Sequence, residues 1–216
     1  MTEEKVIAVS RFDLLVKEYQ KLVSFEICYK EESRLMRIAS VIIMWFCPTF
    51  LSHFTSVIGN RIYFPSRKFI EKDEYGAMRT LAHELVHLLD QKQVSKPVFM
   101  FSYLFPHSLA IGVFSFPFLG WWALLFLLFL APIPSWPRFY FESRGYAMNV
   151  LTARTSRKEA ILQSAIQQFT GWNYYRMYPF SDAVERQITT WVEKGENGQD
   201  KILMKVLLIY EMVHES

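Results

Sequence analysis

The sequence has few cysteines and little net charge, and both scarcities narrow the classes of protein it can represent. Only Cys28 and Cys47 occur, they form no C-x-x-C pair, and neither lies near the histidine motif described below. We therefore predict no disulfide and a reducing compartment. The formal net charge is only +3 and the basic residues are scattered, so we expect no nucleic-acid partner.

Several familiar sequence patterns are also missing. There is no P-loop, no G-x-G-x-x-G fingerprint, no nucleophile elbow and no internal repeat. The first residues, MTEEKVIAVS, are acidic and are not followed by an apolar core, so we predict no signal peptide. Hydrophobic residues nevertheless make up 51% of the 216 residues and aromatic residues 17%. That richness indicates one domain with a core, or one domain plus a membrane element.

The most informative stretch is TLAHELVHLLDQ, which contains the pattern H-E-x-x-H. His83 and His87 are four residues apart, so on a helix they lie on one face and can bind a single Zn²⁺. Glu84 is placed to take a proton from a water at the open position of the metal. Apolar residues recur at helical spacing around the motif and predict an amphipathic helix. They are Met78, Leu81, Leu85, Leu88 and Leu89.

A catalytic zinc site needs a third protein ligand, and we expect it to be Glu142. Glu142 lies in RFYFESRGYAMNVLTAR, a segment predicted to open a helix near Phe141. The alternative is a surface glutamate favoured by the helix dipole. The rival ligands are His107, His214 and His53, and the last of these can equally be a buried or edge histidine without a metal.

Three further polar residues are candidates for supporting roles. Asp90, three residues after His87, can hydrogen-bond a ligand histidine or can be a solvated residue of the last helical turn. Arg144 and Tyr146 are candidates for orienting the Glu142 carboxylate or for stabilising the oxyanion formed during catalysis, and we assign Tyr146 as catalytic.

The second large signal is the segment 97–137, which contains no Asp, Glu, Lys or Arg. A membrane span needs about 20 apolar residues, and prolines and glycines divide this segment, so two short spans or a re-entrant hairpin fit best. Trp121, Trp122 and Trp136 suit a membrane interface. The alternative is a helical hairpin buried in a soluble or oligomeric protein.

The residues that flank this segment indicate on which side of a membrane its two ends lie. If the zinc ligands lie on both sides of it, both flanks are on one side of the membrane. Lys92 and Lys96 precede the segment and Arg138 and Arg144 follow it, which favours the cytoplasmic side.

The remaining chain is predicted to be α+β and mainly α. Residues 9–40 show helical spacing, SVIGNRIYFP predicts a β-hairpin turning at Gly59-Asn60, and three amphipathic helices follow Glu142. The hairpin can pair with an extended substrate or can serve only for packing. We divide the chain into residues 1–96 with the H-E-x-x-H helix, the apolar hairpin 97–137, and residues 138–216 with the third-ligand helix, as one catalytic domain with an insertion.

The motif HELVH, followed at a distance by a helix containing FESRGYA, resembles the gluzincin metallopeptidases. The apolar hairpin between the ligand helices is similar to the membrane gluzincins of the CAAX-prenyl endopeptidase and heat-shock membrane protease group. The compact layout also resembles small phage and bacterial predicted metallopeptidases. The resemblance implies a zincin-like zinc helix beside the β-hairpin, with His83, His87 and Glu142 as ligands and Glu84 as base. The chain departs from those membrane proteases in carrying Tyr146 where an aspartate is usual.

The expected function is therefore a membrane-associated zinc metalloendopeptidase that acts on a peptide or protein substrate. The alternative is a non-enzymatic membrane-inserting or structural protein, such as a virion component, with a structural or vestigial metal site.

Overall fold

The computed structural model describes residues 10–34, 36–38, 55–172 and 176–215. The helices of that part are α1 Arg11–Gln20, α2 Arg67–Lys72, α3 Glu74–Val94, α4 Lys96–Leu104, α5 Phe116–Leu119, α6 Trp136–Leu151, α7 Lys158–Thr170, α8 Ser181–Glu196 and α9 Lys201–Glu215. Three 3₁₀ helices span His107–Ser115, Gly120–Leu130 and Thr155–Arg157. The strands are β1 Glu26–Tyr29, β2 Ser56–Ile58 and β3 Arg61–Phe64. The expected mainly helical α+β class is confirmed.

The small sheet contains the predicted hairpin. β2 and β3 pair antiparallel, with Val57 opposite Ile62, and are joined by the turn at Gly59-Asn60. Gly59 has a φ of 62°, a left-handed conformation that glycine adopts without strain. β3 is the central strand, β2 lies at an edge of the described sheet, and β2 also contacts α3.

The prediction that residues 9–40 are helical is wrong for residues 21–33, whereas residues 34 and 36–38 are helical as predicted. Helix α1 ends at Gln20, and residues 26–29 form β1, which pairs parallel to β3 with Ile27 opposite Ile62. Buried Phe12, Leu15 and Tyr19 do follow helical spacing. Phe25 continues that spacing by coincidence, because it is buried beside a strand instead.

Helix α3 occupies the centre of the fold. Its first turn is capped by Asp73, whose carboxylate accepts a hydrogen bond from the Gly76 backbone N–H at 2.8 Å. α1, α6 and α9 pack around it, and most of the buried apolar residues of all four helices belong to one core cluster. The chain before the apolar insertion and the chain after it therefore share one core.

Helix α6 begins at Trp136, five residues before the predicted start. Pro137 occupies its first turn, where the missing backbone N–H has no intrahelical partner to lose. Glu142 consequently lies within the helix and is buried, so it is not a surface residue at a helix start.

The apolar segment forms a hairpin. We call His107–Ser115 its first arm and Gly120–Leu130 its second arm; they pack against each other through the Phe126 side chain, which lies where a Cβ on Gly112 would be. The stretch His107–Leu130 is the one helical stretch in the described residues that is long and apolar enough to cross a membrane. At its base, the Ser135 hydroxyl donates to the Phe105 carbonyl, so both ends of the hairpin leave from one side.

The hairpin is not buried within the chain itself. Of the most apolar 18 residues in this stretch, only 6% are buried inside the chain. Its most exposed side chains are large and apolar, with Phe118 at 90%, Phe114 at 80% and Trp121 at 78% exposure. The run 39–54, which contains Cys47 and His53, lies outside the described residues.

Candidate metal centre

The H-E-x-x-H helix and the glutamate helix bring three potential metal ligands together. α3 and α6 pack side by side, and His83, His87 and Glu142 meet at their contact with all three side chains buried. One ligand atom of each lies within 4.8 Å of the other two. These three side chains could therefore hold a metal ion.

The distances among the ligand atoms fit a tetrahedral ion. His83 Nε2 and His87 Nε2 are 3.1 Å apart, and the Glu142 Oε2 atom is 3.7 Å from the first and 4.0 Å from the second. Ligands at about 2.0–2.1 Å from a tetrahedral Zn²⁺ are about 3.3 Å from one another. Small side-chain movements thus bring the triangle to the size that such an ion requires.

The protonation states of His87 and Glu142 also suit a cation. Burial lowers the pKa of His87 to about 3, so its imidazole is neutral and offers a lone pair. Burial acts to raise the pKa of Glu142, but the two histidines and Arg138 outweigh it and lower the pKa to about 2. Glu142 Oε2 has no hydrogen-bond partner in the described part of the chain, which leaves this charged atom available to a metal. Burial acts to lower the pKa of His83, but Glu142 and Glu84 outweigh it and raise the pKa, so metal binding would displace a proton from this imidazole.

Glu84 lies beside the three ligands and is itself buried. Burial raises the pKa of its carboxyl to about 7; the charge of Glu142 acts in the same direction, and His83 and Lys30 oppose it. Lys30, the residue directly after β1, is completely buried. A carboxyl with a pKa near neutrality can both accept and release a proton under physiological conditions.

Tyr103 contacts the metal centre, although no motif in the sequence predicts a role for it. It lies on α4, and its hydroxyl donates a short hydrogen bond to Glu142 Oε1. Its ring stands edge-on to that of His87 and is stacked on Phe99. Tyr103 therefore holds one carboxylate oxygen and leaves the other to face the histidines.

Two further residues of α6 fix His83. A Cβ on Gly145 would lie 2.6 Å from His83 Nε2, so only glycine lets the imidazole approach the helix this closely. The Asn149 amide nitrogen lies 3.2 Å from His83 Nδ1, and the amide oxygen has no hydrogen-bond partner among the described residues. With the amide turned so that its oxygen accepts from Nδ1, Nε2 is left free for a metal.

Arg144 has a different place from the one predicted. It is buried and pairs with Asp90 and with Asp200, at 2.7 Å in the second pair, so it ties α3 and α6 to the start of α9. It does not orient Glu142. Asp90 is likewise buried and paired, not solvated, and its second oxygen makes no hydrogen bond to His87 within the described residues.

The other candidates are placed as follows. Tyr146 packs its ring edge-on against His83, with ring centroids 5.0 Å apart. The rival ligands His107 and His214 are not in the cluster; the first begins the first arm of the hairpin, and the second stacks on Tyr210 near the end of α9. His53 is not among the described residues.

Comparisons with known proteins identify no relative of this chain. No protein-family model matches the chain, and no curated protein or solved structure is significantly similar to it. The resemblance to gluzincins stays a prediction, and inferences about function depend on the geometry of the centre.

Proposed function

We propose that the protein is a zinc-dependent metalloendopeptidase associated with a membrane. The observation that supports this most strongly is the buried cluster of two histidines and a glutamate, with Glu84 beside it. A donor set of two imidazole nitrogens and one carboxylate oxygen is typical of catalytic zinc. Such an ion, held by His83, His87 and Glu142, would supply Lewis acidity that activates water and polarises the scissile carbonyl.

Residues of the chain itself transfer the proton, position the ligands and stabilise the oxyanion. Glu84 accepts a proton from the attacking water on its carboxylate and later donates it to the leaving amine nitrogen. A pKa near 7 allows both transfers. Tyr103 holds Glu142 in place through its hydroxyl, and Gly145 and Asn149 hold the His83 ring. Tyr146, next to His83, is the candidate for stabilising the oxyanion of the tetrahedral intermediate.

The edge strand β2 supports a peptide substrate. β2 lies at an edge of the described sheet and contacts α3, the helix that carries both histidines. An extended peptide can add to such an edge through backbone hydrogen bonds.

The exposed hairpin supports membrane association. At about 2.0 Å per residue in a 3₁₀ helix, the nine and eleven residues of the arms reach about 18 and 22 Å. Both lengths fall short of a hydrocarbon core of about 30 Å, so a hairpin that dips into one leaflet fits better than a span. We place the metal centre on the cytoplasmic side, although Arg144 no longer counts among the basic flanks, because it is buried in ion pairs.

The other candidate function is a non-enzymatic membrane-inserting protein with a structural metal. The exposed apolar hairpin fits that role equally well. Structural zinc sites usually have four protein ligands, however, and the described residues provide three. A three-ligand site leaves a position for water and so favours catalysis.

Exchange of Glu84 for Gln separates the two functions. Zinc-loaded protein is incubated with fluorescein-labelled casein as a general protease substrate, and zinc per chain is measured on the same samples. We expect Glu84→Gln to reduce turnover by about 100-fold or more and to retain zinc. The exposed Glu211→Gln is the matched control and keeps full turnover. Zinc binding with no turnover in the wild type would favour the structural role.

A further inference from the structure

A groove that no step of the proposed mechanism uses opens next to the metal centre. It has a volume of about 680 Å³ and lies between α2, the first turns of α3, α6 and α7. Three cations line it, Lys68, Lys72 and Arg79, and we call it the cationic groove. Tyr146 and Asn149 form its end nearest the ligands.

The charge of this groove is uncompensated. None of its three cations forms an ion pair with a carboxylate among the described residues. The single acid in its lining is Asp73, and that carboxylate already accepts the hydrogen bond that caps α3. Three cations against one engaged carboxylate give the groove a preference for anionic groups.

The groove is adjacent to the metal centre, because Tyr146 and Asn149 line the groove and also contact His83. Asn149 is 3.2 Å from His83 Nδ1, and the Tyr146 ring contacts the His83 ring. Along α3, the six residues from Ala77 to His83 correspond to about 9 Å, because the helix rises about 1.5 Å per residue. An extended peptide covers that distance in about three residues. A peptide bound at the metal centre can therefore place nearby side chains in the groove.

The groove is separate from the part of the chain proposed to enter the membrane. The two arms of the hairpin pack on each other and the first arm packs on α4, whereas the groove is formed by α2, α3, α6 and α7. Most of the exposed large apolar side chains lie on the hairpin and α4, and the cations of the groove lie elsewhere. This separation favours a peptide over a lipid headgroup as the source of the anionic group.

We propose that the cationic groove binds the carboxylate side chains of an acidic peptide segment, a few residues from the bond that the metal centre hydrolyses. The position relative to the scissile bond depends on the proposed function. The binding of acidic peptides does not depend on it, because it requires neither metal nor turnover.

The test is a binding measurement on the full-length, metal-free protein in an uncharged detergent. A fluorescein-labelled peptide containing consecutive glutamates is compared, by fluorescence anisotropy, with the same peptide containing glutamines. We expect the glutamate peptide to bind about tenfold more tightly to the wild type. The combined variant Lys68→Gln, Lys72→Gln and Arg79→Gln should lose this preference.

A matched control removes the same amount of charge elsewhere. Lys17, Lys201 and Lys205 are exposed and lie outside the groove, and their exchange for Gln should leave the preference intact. Thermal unfolding confirms that both variants are folded. Equal binding of the two peptides to the wild type, or equal loss in the groove variant and in the control, would overturn the proposal.

Two further measurements separate the proposals and the possible occupants. Flotation with vesicles containing phosphatidylserine tests lipid headgroups: if the groove variant, unlike the control, loses vesicle binding, the occupant is a lipid and the peptide proposal is wrong. Zinc content is measured independently. A protein without zinc that still prefers the glutamate peptide would contradict the proposed enzyme but retain the groove.

Discussion

The metal centre and the apolar hairpin reverse the ordinary distribution of side chains in opposite ways. The centre buries two histidines and two glutamates between α3 and α6, whereas the hairpin exposes phenylalanines, leucines and tryptophans. Burying charged groups costs free energy unless partners compensate, and exposing a large apolar surface promotes association. Since folding of the chain alone favours neither arrangement, both arrangements support the proposed metal ion at the centre and the proposed membrane contact of the hairpin.

The two regions differ in how they are held. The centre is surrounded by specific contacts: the Tyr103 hydroxyl on Glu142, Gly145 and Asn149 against His83, and the Arg144 ion pairs one turn away. In the hairpin, the contact between the arms is apolar, with the Phe126 ring against Gly112. The centre should therefore be sensitive to single atoms, and the hairpin to overall hydrophobicity.

The largest effect of a single change is expected at the buried ion pairs beside the centre. Arg144→Met leaves the Asp90 carboxylate buried without its cation, which should lower the free energy of unfolding by about 3–5 kcal/mol. Urea unfolding followed by circular dichroism measures this. Adding Asp90→Leu should restore much of the loss, and the exposed Arg186→Met serves as control. A variant as stable as the wild type would show that these pairs do not hold α3 and α6 together.

A smaller effect is expected at the hairpin, and on a different property. Exchange of Trp121 and Trp122 for Lys should reduce flotation with lipid vesicles by about tenfold or more, because a lysine is costly in hydrocarbon. Zinc content and unfolding should not change. Trp172→Lys is the matched control, since Trp172 is 63% exposed and lies outside the hairpin. Undiminished flotation would contradict insertion through the hairpin.

A further effect is expected at the metal centre, on its affinity for zinc. Gly145→Ala places a methyl group where His83 Nε2 now lies, so it should weaken zinc binding by about 10–100-fold. Competition with a fluorescent chelator measures the affinity. Gly195→Ala crowds Leu151 in the core in a comparable way, away from the ligands, and should leave zinc affinity unchanged. Equal affinities in the two variants would show that the His83 ring does not need this close approach.

The smallest effect is expected at Tyr103, which links the metal centre to the hairpin. Tyr103, on the helix that leads into the hairpin, donates to Glu142, so Tyr103→Phe should weaken zinc binding by about tenfold. Tyr178→Phe, whose ring stacks on Phe139, is the control. An unchanged affinity would mean that α4 only covers the centre and does not orient its carboxylate.

The part of the structure that depends on local spacing could be predicted from the sequence. The i, i+4 histidines, the Gly59-Asn60 turn and the uncharged stretch are signals within a few residues, and each produced the expected local structure. Glu142 lies beside the two histidines as expected, and it was selected because a catalytic zinc site requires a third protein ligand and few candidates existed.

The contacts that pack the centre could not be predicted in this way. The bond from Tyr103 to Glu142 joins residues 39 apart, and the pairing of β1 with β3 joins Ile27 to Ile62. No periodicity in the sequence encodes such long-range contacts. Arg144 was misjudged for the same reason, because its partners Asp90 and Asp200 are 54 and 56 residues away.

We propose that His83, His87 and Glu142 bind one zinc ion, and the zinc content of the purified protein decides this. We would measure metal per chain by atomic emission on the wild type, on Glu142→Ala, and on His214→Ala as a histidine outside the cluster. We expect about one zinc per chain in the wild type and in His214→Ala, and none in Glu142→Ala. Full zinc content in Glu142→Ala, or none in the wild type after reconstitution, would contradict it.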